Sequence, residues 1–281
     1  GFRLQKGIVR YTANLIRDRL GITEPPPTLF HYTSIETLAL ILQYETLRFT
    51  RLDLVNDPSE AETTDLPNAA SLVFASCWTD ASLDTLPMWK MYTPNMQGVR
   101  IELPNNPFQG RNPVYLSEDA GYWQTIDQDI EFNHGIPDSG VVTRFLRGPN
   151  KVVYTNDPKE RVVTCLESGI AGEIIRLEDL GQTKSLHWQF EQEWRYRVLA
   201  TPSEVHTQPL IGLNQHFVHP REIRLSMEHV DICLDSTALQ EMNVLLGPCC
   251  NEAHLAIVTA LMASHQYQGR IEQSQIRFRM K

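Results

Sequence analysis

The stretch from which the fold can be read first is "LFHYTSIETLALILQYETLRFTRLDLVNDPSEAE", residues 29–62. Its opening is short, apolar and rich in strand-forming residues, so it predicts a β-strand that ends near His31. Thr33 and Glu36 have the spacing of a capping box, which predicts that a helix begins directly after this strand. The helix would bury the apolar residues at helical spacing, namely Ile35, Leu38, Ile41 and Leu42. The alternating residues 46–52 then predict a second strand, followed by a turn at Asn-Asp-Pro.

The rest of the chain continues this mixture of short strands and helices. "SLVFASCWT" (71–79) is typical of a buried strand, and "LPMWKMY" (86–92) of a short helix. Residues 161–180 predict a helix, and "HWQFEQEWRYRV" (187–198) predicts the end of a helix that leads into a strand. The elements do not alternate in a regular βαβ order and the links between strands are short, which favours an α+β fold over a doubly wound sheet.

Two segments are predicted for the domain organisation. Residues 1–24 carry an amphipathic pattern over 3–20 and then the beginning of a proline-rich linker. Residues 28–281 are predicted to form a single domain.

Composition excludes several classes of protein. Over 281 residues, 42% are hydrophobic and 21% are charged, which is typical of a globular protein. The formal net charge of -9 argues against broad attraction to nucleic-acid phosphates. Five cysteines without a C-x-x-C pair predict neither a disulfide framework nor a zinc site. The sequence also has no apolar stretch long enough to span a membrane and no signal-peptide pattern. Together with the cysteine pattern, these observations predict a cytoplasmic location.

His31 is the first candidate for a functional role. It ends a strand just before a helix N-terminus and is followed by Thr33 and Ser34. Hydroxyls and an imidazole at a helix N-terminus could hold a ribose or a phosphate. A single histidine is more often structural, so both interpretations stay open at this point.

The polar window that begins at Arg51 is the second candidate. Arg51 could face a pyrophosphate, supported by a turn that contains Asn56 and Asp57. On composition alone, however, a polar surface turn is the better interpretation, because surface ion pairs contribute only about 0–1 kcal/mol.

Two later clusters complete the set. Trp89 and Tyr92 are three apart on a predicted helix, where they belong either to the core or to a stacking site for a flat ring. Glu191 and Glu193 are predicted to share one face of a strand, with Arg195 assigned to the opposite face. Two nearby carboxylates could stabilise an oxocarbenium-like transition state. A structural role for these two glutamates is an equally good interpretation of the pattern.

Standard catalytic motifs are absent from the sequence. There is no G-x-G-x-x-G after the first strand, no P-loop, no H-E-x-x-H and no G-x-S-x-G. A Rossmann site, an NTPase, a zinc protease and a serine hydrolase therefore have no support.

Taken together, the motifs F-H-Y-T-S, R-L-x-x-x-N-D-P-x-E, S-C-W-x-D, P-M-W-x-x-Y and W-x-x-E-x-E-W-R resemble a widespread bacterial domain family of unknown function. The resemblance extends over about residues 28–278. The order of the elements also resembles the ADP-ribosyltransferase superfamily, which implies split, largely antiparallel β-sheets with flanking helices.

This resemblance implies roles for individual residues. His31, Tyr32 and Thr33 would hold the adenosine-side ribose of NAD. Tyr92 or Trp89 would stack on nicotinamide.

The remaining implied roles concern the acids and the polar turn. Glu193, or failing that Glu191, would bond the nicotinamide ribose and stabilise the oxocarbenium ion. Arg51 would lie near the phosphates, with Asn56 and Asp57 beside it.

The implied activity is NAD-dependent mono-ADP-ribosyl transfer or NAD hydrolysis without a metal. The acceptor would be an unknown protein or nucleic acid, and the chain would act as a toxin or phage-defence effector. A non-catalytic nucleotide sensor and an interaction domain are the alternatives.

Overall fold

The computed structural model describes residues 25–110, 141–169, 172–175, 177, 179–202 and 224–277. The helix predicted at residues 3–20 lies outside these ranges. Within them, no helix has the length and apolar character that crossing a bilayer requires.

The opening strand–helix–strand unit forms as predicted. Strand β1 (Thr28–Thr33) is followed by helix α1 (Ile35–Tyr44) and strand β2 (Thr46–Arg51). The four apolar residues predicted to be buried along α1 are all buried. The predicted cap is displaced by one residue, because the Ser34 hydroxyl, rather than that of Thr33, accepts the hydrogen bond from the Thr37 amide at 3.0 Å.

The remaining strands and helices follow in chain order. The strands are β3 (Val73–Thr79), β4 (Val99–Pro104), β5 (Val141–Lys151), β6 (Val153–Tyr154), β7 (Leu166–Gly169), β8 (Gly172–Ile175), β9 (Thr183–Lys184), β10 (Glu193–Pro202), β11 (His229–Cys233), β12 (Asn243–Leu246) and β13 (Ile271–Gln273). The helices are α2 (Leu86–Tyr92), α3 (Pro158–Arg161), α4 (Ser236–Gln240) and α5 (Glu252–Ser264), with short 3-10 turns that include Pro58–Ala61 and Leu186–Glu191.

Nine of these strands form one open sheet. Its main path runs β11-β2-β3-β1-β4-β12-β13, and β10 pairs with both β3 and β5. Every pair in this sheet is antiparallel except β12 with β13. The predicted α+β class, with a mixed and largely antiparallel sheet flanked by helices, is therefore confirmed.

The sheet splits at β3. Strand β10 pairs with β3 along its whole length, so β1 and β2 share the other side of β3. There, β2 pairs only at Phe74 and Ala75, and β1 pairs only at Thr79. The two strands therefore diverge beside residues 76–78 and leave a cleft between them.

The prediction of a helix at residues 161–180 is wrong. Part of that segment forms the hairpin of β7 and β8, whose strands are antiparallel and pair Leu166 with Ile175. The segment combines β-branched residues with Gly169 and Gly172, which lower helix propensity and suit a tight turn. Its apolar residues fit a helical spacing only because the two short strands lie close together in sequence.

Candidate functional site

A cavity of about 250 Å³ occupies the cleft between β1 and β2 and opens to solvent. Its walls come from both strands, from β3, from α2 and from the segment that leads into β10. Residues that matter for its chemistry are His31, Tyr32, Arg48, Asn56, Cys77, Tyr92, Lys184, Glu191, Glu193 and Arg195.

His31 spans the gap between the diverging strands. Its Nδ1 lies 2.8 Å from the Cys77 carbonyl oxygen of β3. A carbonyl oxygen only accepts, so Nδ1 carries the proton and donates it. Burial lowers the pKa of His31, and the bond to the Cys77 carbonyl offsets this only in part. His31 is therefore neutral at pH 7, with Nε2 free of a proton and able to accept a hydrogen bond.

The pairing of β10 with β3 determines which side chains face the cavity. Arg195 lies opposite Cys77 and Glu193 lies opposite Thr79. Glu193 and Arg195 are two residues apart on a strand, so they share a face. The prediction that placed Arg195 on the opposite face from the glutamates is wrong, and the Arg195 Nε donates to Glu193 at 2.8 Å.

Three carboxylates and two cations meet beneath the cavity and form what we call the buried charge cluster: Glu60, Glu191, Glu193, Lys184 and Arg195. Lys184 Nζ lies 2.6 Å from Glu191, 3.2 Å from Glu193 and 3.4 Å from Glu60. Arg195 pairs with Glu193 at 2.6 Å and also with Glu60. Each of the five side chains is at most 4% exposed, so removing one partner would leave an uncompensated buried charge.

The shared cations set the pKa of each acid differently. Burial alone would raise the pKa of Glu193, but Arg195 and Lys184 lower it to about 2. For Glu191 and Glu60, burial outweighs the nearby cations, and the pKa of each carboxyl is raised. With three acids against two cations, the excess negative charge favours proton uptake at these two carboxyls.

Glu191 differs from Glu193 in its partners. Glu193 has one oxygen bonded by Arg195 and the other by Lys184. Glu191 has Lys184 on one oxygen, while the other accepts a hydrogen bond from the neutral Tyr92 hydroxyl. Burial and the adjacent Glu191 raise the pKa of Tyr92, so its proton stays in place.

The two glutamates do not lie on one strand as predicted. Glu191 ends the 3-10 turn Leu186–Glu191, and Glu193 begins β10. Between them, Gln192 adopts a left-handed conformation with φ of 46°. This change of direction, rather than strand alternation, brings both carboxylates to Lys184.

Arg51 lies away from the cavity. Thr50 pairs with Ala75 and Arg51 with Phe74, so Arg51 faces the opposite side of the sheet from Thr50. Its guanidinium donates to Asp53 at 2.6 Å and to the Leu225 and Met227 carbonyls at 3.0 and 3.1 Å. Among the described residues, these contacts indicate that Arg51 stabilises the fold and does not bind a ligand in the cavity.

Arg48, rather than Arg51, lines the cavity from β2. It alternates with Thr50 along β2 and therefore shares that residue's face of the sheet. Its guanidinium forms two hydrogen bonds to Asp231, at 2.9 and 3.1 Å. The pair is exposed, so Asp231 can be exchanged for another anion at low cost.

The Asn-Asp-Pro turn divides its residues between two roles. Asn56 lines the cavity, close to the Tyr92 hydroxyl. Asp57 caps the 3-10 turn Pro58–Ala61 through the Ser59 amide at 3.0 Å. That turn places Glu60 in the buried charge cluster.

The aromatic candidates differ in whether they lie in the core or line the cavity. Trp89 is fully buried, donates from Nε1 to Asp84 at 2.7 Å and packs edge-on against Tyr32. It is therefore a core residue. Tyr92 and Tyr32 line the cavity, whereas Thr33 is buried and does not line it.

Lys184, Glu60 and Arg48 were missed as site residues. Lys184 lies in a two-residue strand and belongs to no recognisable motif. Glu60 was visible only as part of a polar turn. The alternation of residues in β2 was the one available signal, since it separates Arg48 from Arg51.

Residues 88–196 match a family described as protein of unknown function (DUF2971). The matched range begins in α2 and ends within β10, so it contains Tyr92, Lys184 and Glu191. Within this range, the prediction of an uncharacterised domain family is confirmed. No curated protein and no solved structure matches the chain.

Proposed function

We propose that the cavity binds the nicotinamide half of NAD and that the chain breaks the nicotinamide–ribose bond. ADP-ribose then passes to a macromolecular acceptor or to water. The observation that supports this best is the convergence of three residues at one cavity: His31, whose Nε2 carries no proton, Tyr92 and Glu191. Nε2 would accept a ribose hydroxyl hydrogen, and the Tyr92 ring would contact nicotinamide.

Bond cleavage in this reaction needs negative charge near the ribose. The C1′–N1 bond breaks with its electron pair moving to the positively charged nicotinamide ring, which leaves as a neutral molecule. The ribose then carries oxocarbenium character, which a nearby carboxylate stabilises. An acceptor or water bonds to C1′ and gives up a proton, for which a carboxylate with a raised pKa is a suitable base.

Glu191 fits this role better than Glu193. Glu193 has both oxygens bonded by cations, so its negative charge is already neutralised. Among the described residues, one oxygen of Glu191 is bonded by the neutral Tyr92 hydroxyl alone, which a ribose hydroxyl could replace. We therefore assign Glu191 as the catalytic acid–base residue and Glu193 as a positioning residue.

The size of the cavity suits half of a dinucleotide. Its volume of about 250 Å³ is below the roughly 300–1,000 Å³ of typical ligand pockets. The phosphates of NAD would then lie at the open mouth, near Arg48. The net charge of -9 disfavours long nucleic acids as acceptors and favours a protein, and the chain would act as a toxin or phage-defence effector.

The direct test is to incubate the purified chain with NAD, with and without cell lysate, and to measure free nicotinamide and the melting temperature. We expect nicotinamide release and a higher melting temperature. A temperature shift without release would support a non-catalytic sensor instead. The absence of both nicotinamide release and a temperature shift would contradict the proposal and would favour an interaction domain.

Arg48→Ala tests where the phosphates bind. Loss of a charge-assisted contact should raise KM for NAD by about tenfold or more. Nicotinamide riboside has no phosphate, so its KM should not change. Asp231→Asn is the matched control, because freeing Arg48 from its present partner should lower KM for NAD. An equal effect of Arg48→Ala on both substrates would contradict this placement.

A further inference from the structure

Two adjacent cysteines, Cys249 and Cys250, lie in the turn that joins strand β12 to helix α5. The amide of Cys250 donates to the Gly247 carbonyl oxygen at 3.0 Å, which closes a four-residue turn with Pro248 and Cys249 at its centre. Both cysteines are free thiols and only half-buried, so a small solute can reach them.

The two thiols differ in their surroundings. Cys250 packs against the hydrophobic core, and its Sγ donates to the Gly98 carbonyl oxygen at 3.4 Å. Burial raises the pKa of Cys250, a backbone contact with Gly247 offsets part of this rise, and the neighbouring Cys249 adds to it. The thiolate is the reactive form of cysteine, so Cys250 is held in its unreactive form. Cys249 is therefore the thiol that reacts first, with Cys250 within electrostatic reach of it.

Hydrogen bonds tie this turn to residues 96–98, the segment that leads into β4. The Gly247 amide donates to the Gly98 carbonyl oxygen at 2.9 Å, and the Cys249 amide donates to the Met96 carbonyl oxygen at 3.2 Å. The conformation of the two cysteines therefore helps to determine where the segment 96–98 lies.

The segment 96–98 packs tightly against the end of α2. A Cβ atom added to Gly98 would lie 2.3 Å from the Thr33 carbonyl oxygen and 2.6 Å from the Thr93 Cβ. Gly98 cannot move towards either residue without displacing it, because such contacts leave no free volume. Thr93 directly follows Tyr92, which lines the cavity. A shift of Gly98 would thus be passed on to the end of α2.

We propose that Cys249 and Cys250 form a modification site for two-electron oxidants such as hydrogen peroxide, at which the two thiols close to a disulfide. The Cys249 thiolate attacks one peroxide oxygen, the O–O bond breaks, and the other oxygen leaves as hydroxide and takes up the thiol proton to form water. Cys249 is then a sulfenic acid. The Cys250 sulfur attacks the sulfenic sulfur, and the hydroxyl group leaves with the Cys250 proton as a second water. One peroxide is reduced while two thiols are oxidised.

The resulting disulfide would be strained and therefore reversible. Adjacent Cα atoms are about 3.8 Å apart across a trans peptide, whereas the Cα atoms of a disulfide are usually about 4.4–6.8 Å apart. Closing the ring changes the backbone of the turn and disturbs its bonds to Met96 and Gly98. Strained disulfides are readily reduced and are typical of regulatory pairs. Oxidation thus loosens the end of α2, an effect that does not depend on the proposed NAD chemistry.

Oxidation of the full chain with hydrogen peroxide tests the proposal. Mass spectrometry should locate a disulfide within the peptide that contains Cys249 and Cys250, and dithiothreitol should reverse it. The amides of Thr93 and Gln97 are hydrogen-bonded at the end of α2 and in the turn after it. They should exchange with solvent at least about tenfold faster in the oxidised chain, while the amides of β10 report that the rest of the fold is intact.

Serine variants separate the roles of the two thiols. Cys250→Ser should leave Cys249 as a sulfenic acid that dimedone traps, and Cys249→Ser should leave Cys250 unoxidised. Cys233→Ser is the matched control, because Cys233 is also half-buried but lies on β11 with no adjacent cysteine. Its loss should change neither the disulfide nor the exchange rates.

Several results would overturn the proposal. They are a disulfide that joins two copies of the chain, a sulfinic acid at Cys249 without a disulfide, and preferential oxidation of any of the other three cysteines. A disulfide between Cys249 and Cys250 with unchanged exchange at Thr93 and Gln97 would overturn the proposed loosening of α2.

Discussion

Lys184→Met should lower the free energy of unfolding by about 3 kcal/mol, the effect expected when one partner of a buried ion pair is removed. Lys184 is the cation shared by all three acids of the buried charge cluster. Without it, Arg195 alone would face three buried carboxyl groups. Urea unfolding at pH 7 measures the loss.

Lys151→Met provides the control for this substitution. The Lys151 side chain is 44% exposed and pairs with Asp80 at 3.2 Å, so its loss should cost only about 0–1 kcal/mol. Equal stability losses in the two variants would contradict the buried charge cluster.

The pH dependence of the same variant follows from Glu193. The pKa of Glu193 is about 2, below the ordinary value of 4.5, so ionised Glu193 stabilises the fold above pH 4.5 and this contribution is lost as the pH falls towards 2. Lys184 is one cause of the lowered pKa. The stability difference between the unmodified chain and Lys184→Met should therefore shrink between pH 4.5 and 2. A constant difference across that range would show that Lys184 stabilises the fold by other means.

Glu191→Gln should slow nicotinamide release by about 10²–10³-fold, the effect of removing a group that stabilises transition-state charge. The substitution preserves shape and should leave the fold intact. It converts three acids against two cations into two against two, which removes the excess negative charge of the buried charge cluster. The initial rate of nicotinamide release at saturating NAD is the measurement.

Glu193→Gln separates catalysis from positioning. It neutralises an acid that both Lys184 and Arg195 bind, so it should lower the melting temperature as well as activity. Undiminished nicotinamide release by Glu191→Gln would remove Glu191 from the mechanism. If release were then lost only in Glu193→Gln, with stability unchanged, the catalytic role would pass to Glu193.

Local patterns in the sequence were sufficient for the first structural unit. Strand β1, helix α1 and strand β2 depend on short-range spacing, on a cap and on alternation, all of which act within a few residues. The helix predicted for the segment 161–180 failed because two short strands that lie close together in sequence, Leu166–Gly169 and Gly172–Ile175, resemble one helix when only spacing is considered. Long-range pairing, which spacing does not contain, determines such cases.

The candidate site follows the same division. The sequence by itself indicated His31, Tyr92, Glu191 and Glu193 as candidate site residues, because polar or aromatic residues stand at the ends of recognisable elements. Only the tertiary structure decided that Glu191 and Glu193 share Lys184.

It also decided that Glu60 joins these two acids and that Arg48 rather than Arg51 faces the cavity. The physical reason is that burial and ion pairing depend on strand register and on contacts between residues more than 100 positions apart, such as Glu60 and Arg195. A one-residue step along β2 reverses the face that an arginine occupies. That outcome is decided by the pairing of β2 with β3, and not by the identity of the arginine.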